Sequence, residues 1–417
     1  MEETDATLTG LLDEAAGLRA RLAHVEDKID RRDVVDESRQ LGRSRGYAVA
    51  ADGGVASISK AATLLDRYGF CVVDGVIPAP VVNAIREEAD AAETRVVANQ
   101  DAVKSLMEAA SARGVDAEAQ LRGDPADLPA ELRAARRRGI PAKLVNDIVW
   151  LPQYAQHLAH PVTIGIARQV LDDHLRIAQL HLRPIAADVD GAPGGFGPAR
   201  FRGRADTREW HTDWPHDLSA YGAGDPRQNA GCIRQPFPDV AMCLVMIWYL
   251  TDVDEDNAGT WVVPGSHRDP RNPRGPADGI NVTSPIPGDM QVRAKAGSVF
   301  IQDSRTWHAS AMHNFGGRRV AIVNRWCPWW LAVDDYAPGG VLNTVCRPIT
   351  LAEYRALPHA LQPFMSHLCP EVEDSLQQPV LDRARAAGLR NRWGFEQLRT
   401  NPEGVADGNA HIRVPLR

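Results

Sequence analysis

The chain lacks most of the signatures that would place it outside ordinary enzyme chemistry. It has no surplus of positive charge: the formal net charge is -7. Phosphate binding needs a positive face, so nucleic acid is excluded as the main partner. It has only six cysteines, Cys71, Cys232, Cys243, Cys327, Cys346 and Cys369, none of them in a CxxC pair. That spacing argues against a disulfide frame and a thiolate zinc site, and suits reduced thiols. No apolar run reaches the length of a membrane span, and Glu2, Glu3 and Asp5 stand where a signal peptide would carry basic residues. The expectation is a cytoplasmic protein with no membrane partner. Internal repeats and low-complexity tracts are also missing.

What is present is an ordinary globular composition, 44% hydrophobic and 24% charged, over 417 residues. That length suits one large core with elaborations. Leu8, Leu11, Ala15, Leu18, Leu22, Val25 and Ile29 fall in alternating steps of three and four, one stripe of a helix. Such a helix either joins two chains as a short coiled coil, giving a homo-oligomer, or packs on its own domain. Gly42 to Ser59 is small and Gly-rich and reads as a linker, so residues 1–58 form an amino-terminal helix and linker, and 59–417 the main domain. Within that domain a helix ending at Tyr68, the β-rich Gly69-Phe70-Cys71-Val72-Val73-Asp74 and a Pro-led helix through Ile85 open the fold. Residues from about 101 to 139, rich in Ala, Arg and Glu, read as a helical insertion. Ala241 to Leu250, Thr260 to Val263, Gly297 to Gln302 and Val320 to Val323 read as strands, and residues from about 348 to 417 as helical. Short strands, long loops and no βαβ rhythm predict a mainly β sandwich or barrel with flanking helices.

The chemistry centres on Trp210-His211-Thr212-Asp213. On extended backbone, side chains two apart share a face, so His211 and Asp213 can bind one ion. His308 follows the run Ser298 to Gln302 and can complete a two-histidine, one-carboxylate set. That set leaves three positions open on an octahedral metal and suits iron(II) better than structural zinc. His313 competes with His308 for this role, although it stands in a turn-like stretch; His216 and His267 read as loop residues near the site.

Three segments, Trp210-His211-Thr212-Asp213, Val262-Val263-Pro264-Gly265-Ser266-His267 and Trp307-His308-Ala309-Ser310, with Asn314 and Arg319 after them, resemble the phytanoyl-CoA dioxygenase family of 2-oxoglutarate oxygenases. Tyr68-Gly69-Phe70-Cys71-Val72-Val73 is similar too. The resemblance implies a double-stranded β-helix, a cupin-like jelly roll, with iron(II) held by His211, Asp213 and His308. It further implies that 2-oxoglutarate is held by Arg319 and Ser310, with Trp248 as an aromatic beside it and Lys143 as a further anion contact. A planar guanidinium suits the far carboxylate. Arg318 is the rival anchor, and on a strand only one of the two faces inward.

The implied reaction uses O2 to hydroxylate a small organic molecule, a secondary metabolite or acyl compound, releasing succinate and CO2. Asp213 stands where related halogenating enzymes carry a small residue, which favours hydroxylation; desaturation, ring formation and epimerisation stay open. Two other classes are a jelly-roll metal-binding or scaffold protein without turnover, and a metal-dependent enzyme that does not use 2-oxoglutarate. Eight tryptophans between positions 210 and 330 are candidates for core or for pocket wall, and they do not identify the substrate.

Overall fold

The computed structural model describes residues 35–116, 151–182, 208–213, 239–255, 259–269, 280–310, 319–331 and 349–369, together with a few isolated positions outside these ranges. Among them nine strands form two sheets. The first strand, β1 (Ala48–Ala50), is followed by helix α1 (Gly54–Tyr68) and strand β2 (Phe70–Asp74). Helices α2 (Ala79–Ser111), α3 (Pro152–Leu158) and α4 (Pro161–Val170) precede β3 (Leu175–Leu182) and β4 (Leu244–Tyr249). Strands β5 (Trp261–Val262), β6 (Met290–Gln291), β7 (Val299–Asp303), β8 (His308–Ala309) and β9 (Ala321–Pro328) follow, then helices α5 (Leu351–Ala356) and α6 (Gln362–Met365).

The larger sheet runs β1-β2-β7-β4-β9-β3 and the smaller β6-β5-β8. Only β1 and β2 pair in parallel. An isolated antiparallel bridge between His211 and His308 adds a fourth lane to the smaller sheet. The two sheets face each other: Phe70, Val245, Ile247, Tyr249, Phe300 and Val323 from the larger meet Val262 and Met290 from the smaller in one buried cluster. This is a jelly roll. The other face of the larger sheet, with Cys71, Leu244, Met246, Trp248, Ile301 and Trp326, is covered by the helices through Leu64, Leu65, Ile85, Tyr154, Ile164 and Phe364. A strand covered on both sides has no need to alternate with polar residues, which is why all six residues of β4 are buried.

Two sequence expectations change here. The segment read as a linker, 42–59, contains β1 and the first turn of α1, because Tyr47 and Val49 bury against β2 and its neighbours despite the Gly-rich composition. Helix α2 runs through Ser111, so the start of the expected insertion is the continuation of that helix. The amino-terminal apolar stripe and the stretch around Leu381 to Leu389 lie outside the described residues, apart from isolated positions. No helix among the described residues is long and apolar enough to cross a membrane.

One glycine ties the fold to the site. Gly69 ends α1 at a φ of 82°, donating its N–H to the Leu65 carbonyl. Its own carbonyl accepts from the Asp303 N–H at 2.8 Å and the Thr306 hydroxyl at 2.9 Å. A Cβ there would stand 2.4 Å from Thr306 Oγ1, so only glycine lets the helix end press against the turn that leads into β8.

Candidate metal centre

Trp210, His211 and Asp213 are set by backbone bonds to two other stretches of the chain, one at Val282 and one from Ser304 to His308. The Trp210 N–H donates to Val282, His211 and His308 exchange backbone bonds in both directions, and the Asp213 N–H donates to Ser304 at 2.7 Å. Arg208 anchors the approach: its guanidinium lies 3.3 Å over the Trp261 ring and pairs with Asp289 at 3.2 Å. Extended geometry then turns Trp210 away from His211. The indole of Trp210 packs with Val263, Trp307 and Ala309 and donates to the Ser284 carbonyl at 2.7 Å. His308 lies opposite Val262, which faces the space between the sheets, so the imidazole points inward as well.

The result is a cluster in which one ligand atom from each of His211, Asp213 and His308 lies within 4.8 Å of the others. The two imidazole centroids are 4.2 Å apart. Each ring is oriented by its own strand: Nδ1 of His211 lies 2.8 Å from the Glu209 carbonyl, and Nδ1 of His308 lies 3.0 Å from that of Thr306. A carbonyl only accepts, so each Nδ1 donates to it, and Nε2 is the ring nitrogen left to turn toward the site. His308 Nε2 stands 3.4 Å from Asp213 Oδ2. With Nε2 of His308 and the Asp213 carboxylate turned to one point, the three residues could hold a metal ion, and two imidazoles with one carboxylate fit iron(II) with open positions remaining.

Arg325 completes the set. Its guanidinium donates to Asp213 Oδ1 at 2.7 Å, leaving Oδ2 on the histidine side. Burial pushes the Asp213 carboxyl up, but the positive charge around it, that of Arg325 first, outweighs burial and holds the group well below the usual carboxylate range. Replacing Arg325 by leucine leaves that carboxylate buried without its counter-charge. The metal-free variant is expected to lose about 3–5 kcal/mol, read by thermal unfolding, and to recover more of its loss with added iron(II) than wild type gains.

Arg319 lies just ahead of β9 and is buried. Period two places it on the face shared by Ala321, Val323 and Arg325, toward the interior. Its charge acts on the Tyr249 phenol, which burial pushes up and Arg319 pulls down, with a net rise. Tyr249 Oη in turn lies 2.8 Å from Thr260 Oγ1. Ser310 sits one residue past β8 and is half-buried.

Trp248 is not brought to the centre. It stands on the opposite face of β4, in the cluster with the helices, edge-on to Tyr154 at 5.4 Å. Strand alternation makes Tyr249 the aromatic beside Arg319, which corrects the expectation for Trp248. His267 also stays apart, with Nε2 3.0 Å from the Asp66 carbonyl. Lys143, His216, His313 and Arg318 lie outside the described residues. Sequence reasoning missed Arg325 and Tyr249. The first was accessible, because 319, 321, 323 and 325 form one side of a strand.

The sequence model of the phytanoyl-CoA dioxygenase family matches residues 65–321. Among solved structures the chain is similar to HygX from Streptomyces hygroscopicus with nickel and 2-oxoglutarate bound, at 15% identity and a TM-score of 0.40, covering 67% of this chain and 94% of that one. The iron-bound form of HygX gives 17% identity and a TM-score of 0.39 over the same shares of the two chains. The non-heme alpha ketoglutarate dependent epimerase SnoN from nogalamycin biosynthesis gives 17% and 0.34, over 66% of this chain and 84% of that one.

Proposed function

The chain belongs to the phytanoyl-CoA dioxygenase family, and from that premise we propose that His211, Asp213 and His308 hold iron(II) and that Arg319, with Ser310, holds 2-oxoglutarate beside it. The protein is an iron- and 2-oxoglutarate-dependent oxygenase acting on a small molecule. Hydroxylation of a secondary metabolite or acyl compound is the form of the reaction we favour. The observation that carries the reading is the geometry: two imidazoles, each with Nδ1 on a backbone carbonyl, turned with the Asp213 carboxylate onto one point.

Bound iron with 2-oxoglutarate and O2 supplies the oxidising chemistry. The chain's own work is positional. Glu209 and Thr306 fix the imidazole tautomers through their carbonyls, and Arg325 holds one carboxylate oxygen of Asp213. The apolar wall of Val245, Ile247, Phe300 and Val323 keeps water from the interior. Arg319 is the charge complement for a dicarboxylate, and burial makes its fork worth more than a surface arginine.

The test is anaerobic addition of iron(II) and 2-oxoglutarate, followed by O2. A visible charge-transfer band of the chelate and then stoichiometric succinate are expected. Absence of both removes the oxygenase reading and leaves a metal-binding jelly roll.

A further inference from the structure

Gln302 lies on β7 with Phe70 and Val245 as its direct strand partners, and Val245 is in turn opposite Arg325. Directly opposed residues share a face, so all four belong to the inner side of the larger sheet, the side that looks across to His211 and His308. The same strand leads into Ser304, whose carbonyl holds the Asp213 N–H. Gln302 is fully buried, and among the described residues neither Oε1 nor Nε2 has a hydrogen-bond partner.

A buried amide that bonds to nothing destabilises the protein that carries it. Its neighbours on the face, Phe70, Val245 and Phe300, are apolar, and leucine or methionine would occupy a similar volume without that cost. A group kept under such conditions calls for a partner from outside the chain. The amide offers one donor group and one acceptor side by side, so its complement is a neutral group with both functions, a hydroxyl or a carboxamide. A carboxylate would satisfy Nε2 alone and set its charge against Oε1. The dicarboxylate has its own complement in Arg319, six residues before Arg325 along the strand.

Resting on the oxygenase reading above, we propose that Gln302 is a specificity-determining residue that hydrogen-bonds an uncharged donor–acceptor group of the organic substrate inside the jelly roll. Sites built to bond a substrate hydroxyl or amide reject analogues that lack it far more strongly than apolar pockets reject a missing methylene.

The experiment compares wild type with Gln302→Leu, using acetamide as the neutral probe and acetate as its charged counterpart. Metal-free Gln302→Leu is expected to melt higher by about 2 °C or more, because an unbonded amide has been removed. Titration of the iron(II) complex with 2-oxoglutarate is expected to agree with wild type within about twofold. Acetamide is expected to shift the chelate band of wild type and not of the variant, and acetate to shift neither. A lower melting point assigns Gln302 to packing, and a weakened 2-oxoglutarate titration assigns it to the co-substrate; either overturns the proposal. So does an acetamide response that is equal in the two proteins or absent from both. Failure of wild type to form the band at all sinks the oxygenase reading instead, which keeps the two failures apart.

Discussion

Replacing His308 by alanine is expected to abolish iron retention, and with it the turnover of 2-oxoglutarate, while the fold survives. The backbone of His308 keeps its pairing with Val262 and with His211, and neither pairing uses the side chain. The imidazole offers one of the three candidate donor atoms, and alanine has none to put in its place. Loss of a partner that merely orients a ligand weakens metal binding by roughly 10–100-fold. Loss of the ligand itself is expected to exceed the top of that range. Metal content after dialysis against buffer, with circular dichroism as the control for folding, decides it. Iron kept at the wild-type ratio would move the ligand to His313, whose own alanine variant is expected to retain metal.

Arg319→Ala is expected to leave iron in place and weaken 2-oxoglutarate. Truncating one side of a buried, hydrogen-bonded charge pair costs about 2–5 kcal/mol, which is a loss of roughly 30-fold or more in Kd. Arg319→Lys keeps the charge but not the planar fork, and an intermediate loss is expected. Titrating the chelate band with 2-oxoglutarate reads both. The two variants separate metal from co-substrate: His308→Ala removes both, and Arg319→Ala removes the second only. An unchanged titration in Arg319→Ala would hand the anchor to Arg318.

The spacing of His211 and Asp213 was legible because period two is a property of any extended segment. The strand positions were legible from β-branched and aromatic runs between turn residues, although several boundaries moved by a few positions. The orientation of β4 was not. In Leu244-Val245-Met246-Ile247-Trp248-Tyr249 every residue is apolar, so there is no alternation to say which side is which. The family resemblance sets Trp248 beside the co-substrate, and nothing in the pattern of the strand opposes it, although Tyr249 has the interior position. The segment from 42 to 59 failed for the opposite reason. Its composition is that of a loop, and only contact with β2 and the helices makes β1 and the start of α1 worth forming.

By itself the sequence determined the types of the candidate ligands, their order along the chain, and a rhythm of short strands that must stack as sheets, since these follow from residue chemistry and local backbone geometry. The tertiary structure alone decided which face of each doubly covered strand is interior, that Arg325 meets Asp213 across 112 residues of chain, and that Gln302 lies buried with no partner among the described residues. The reason is that alternation along a strand is local, whereas the identity of the inner side depends on what the second sheet and the helices place against it.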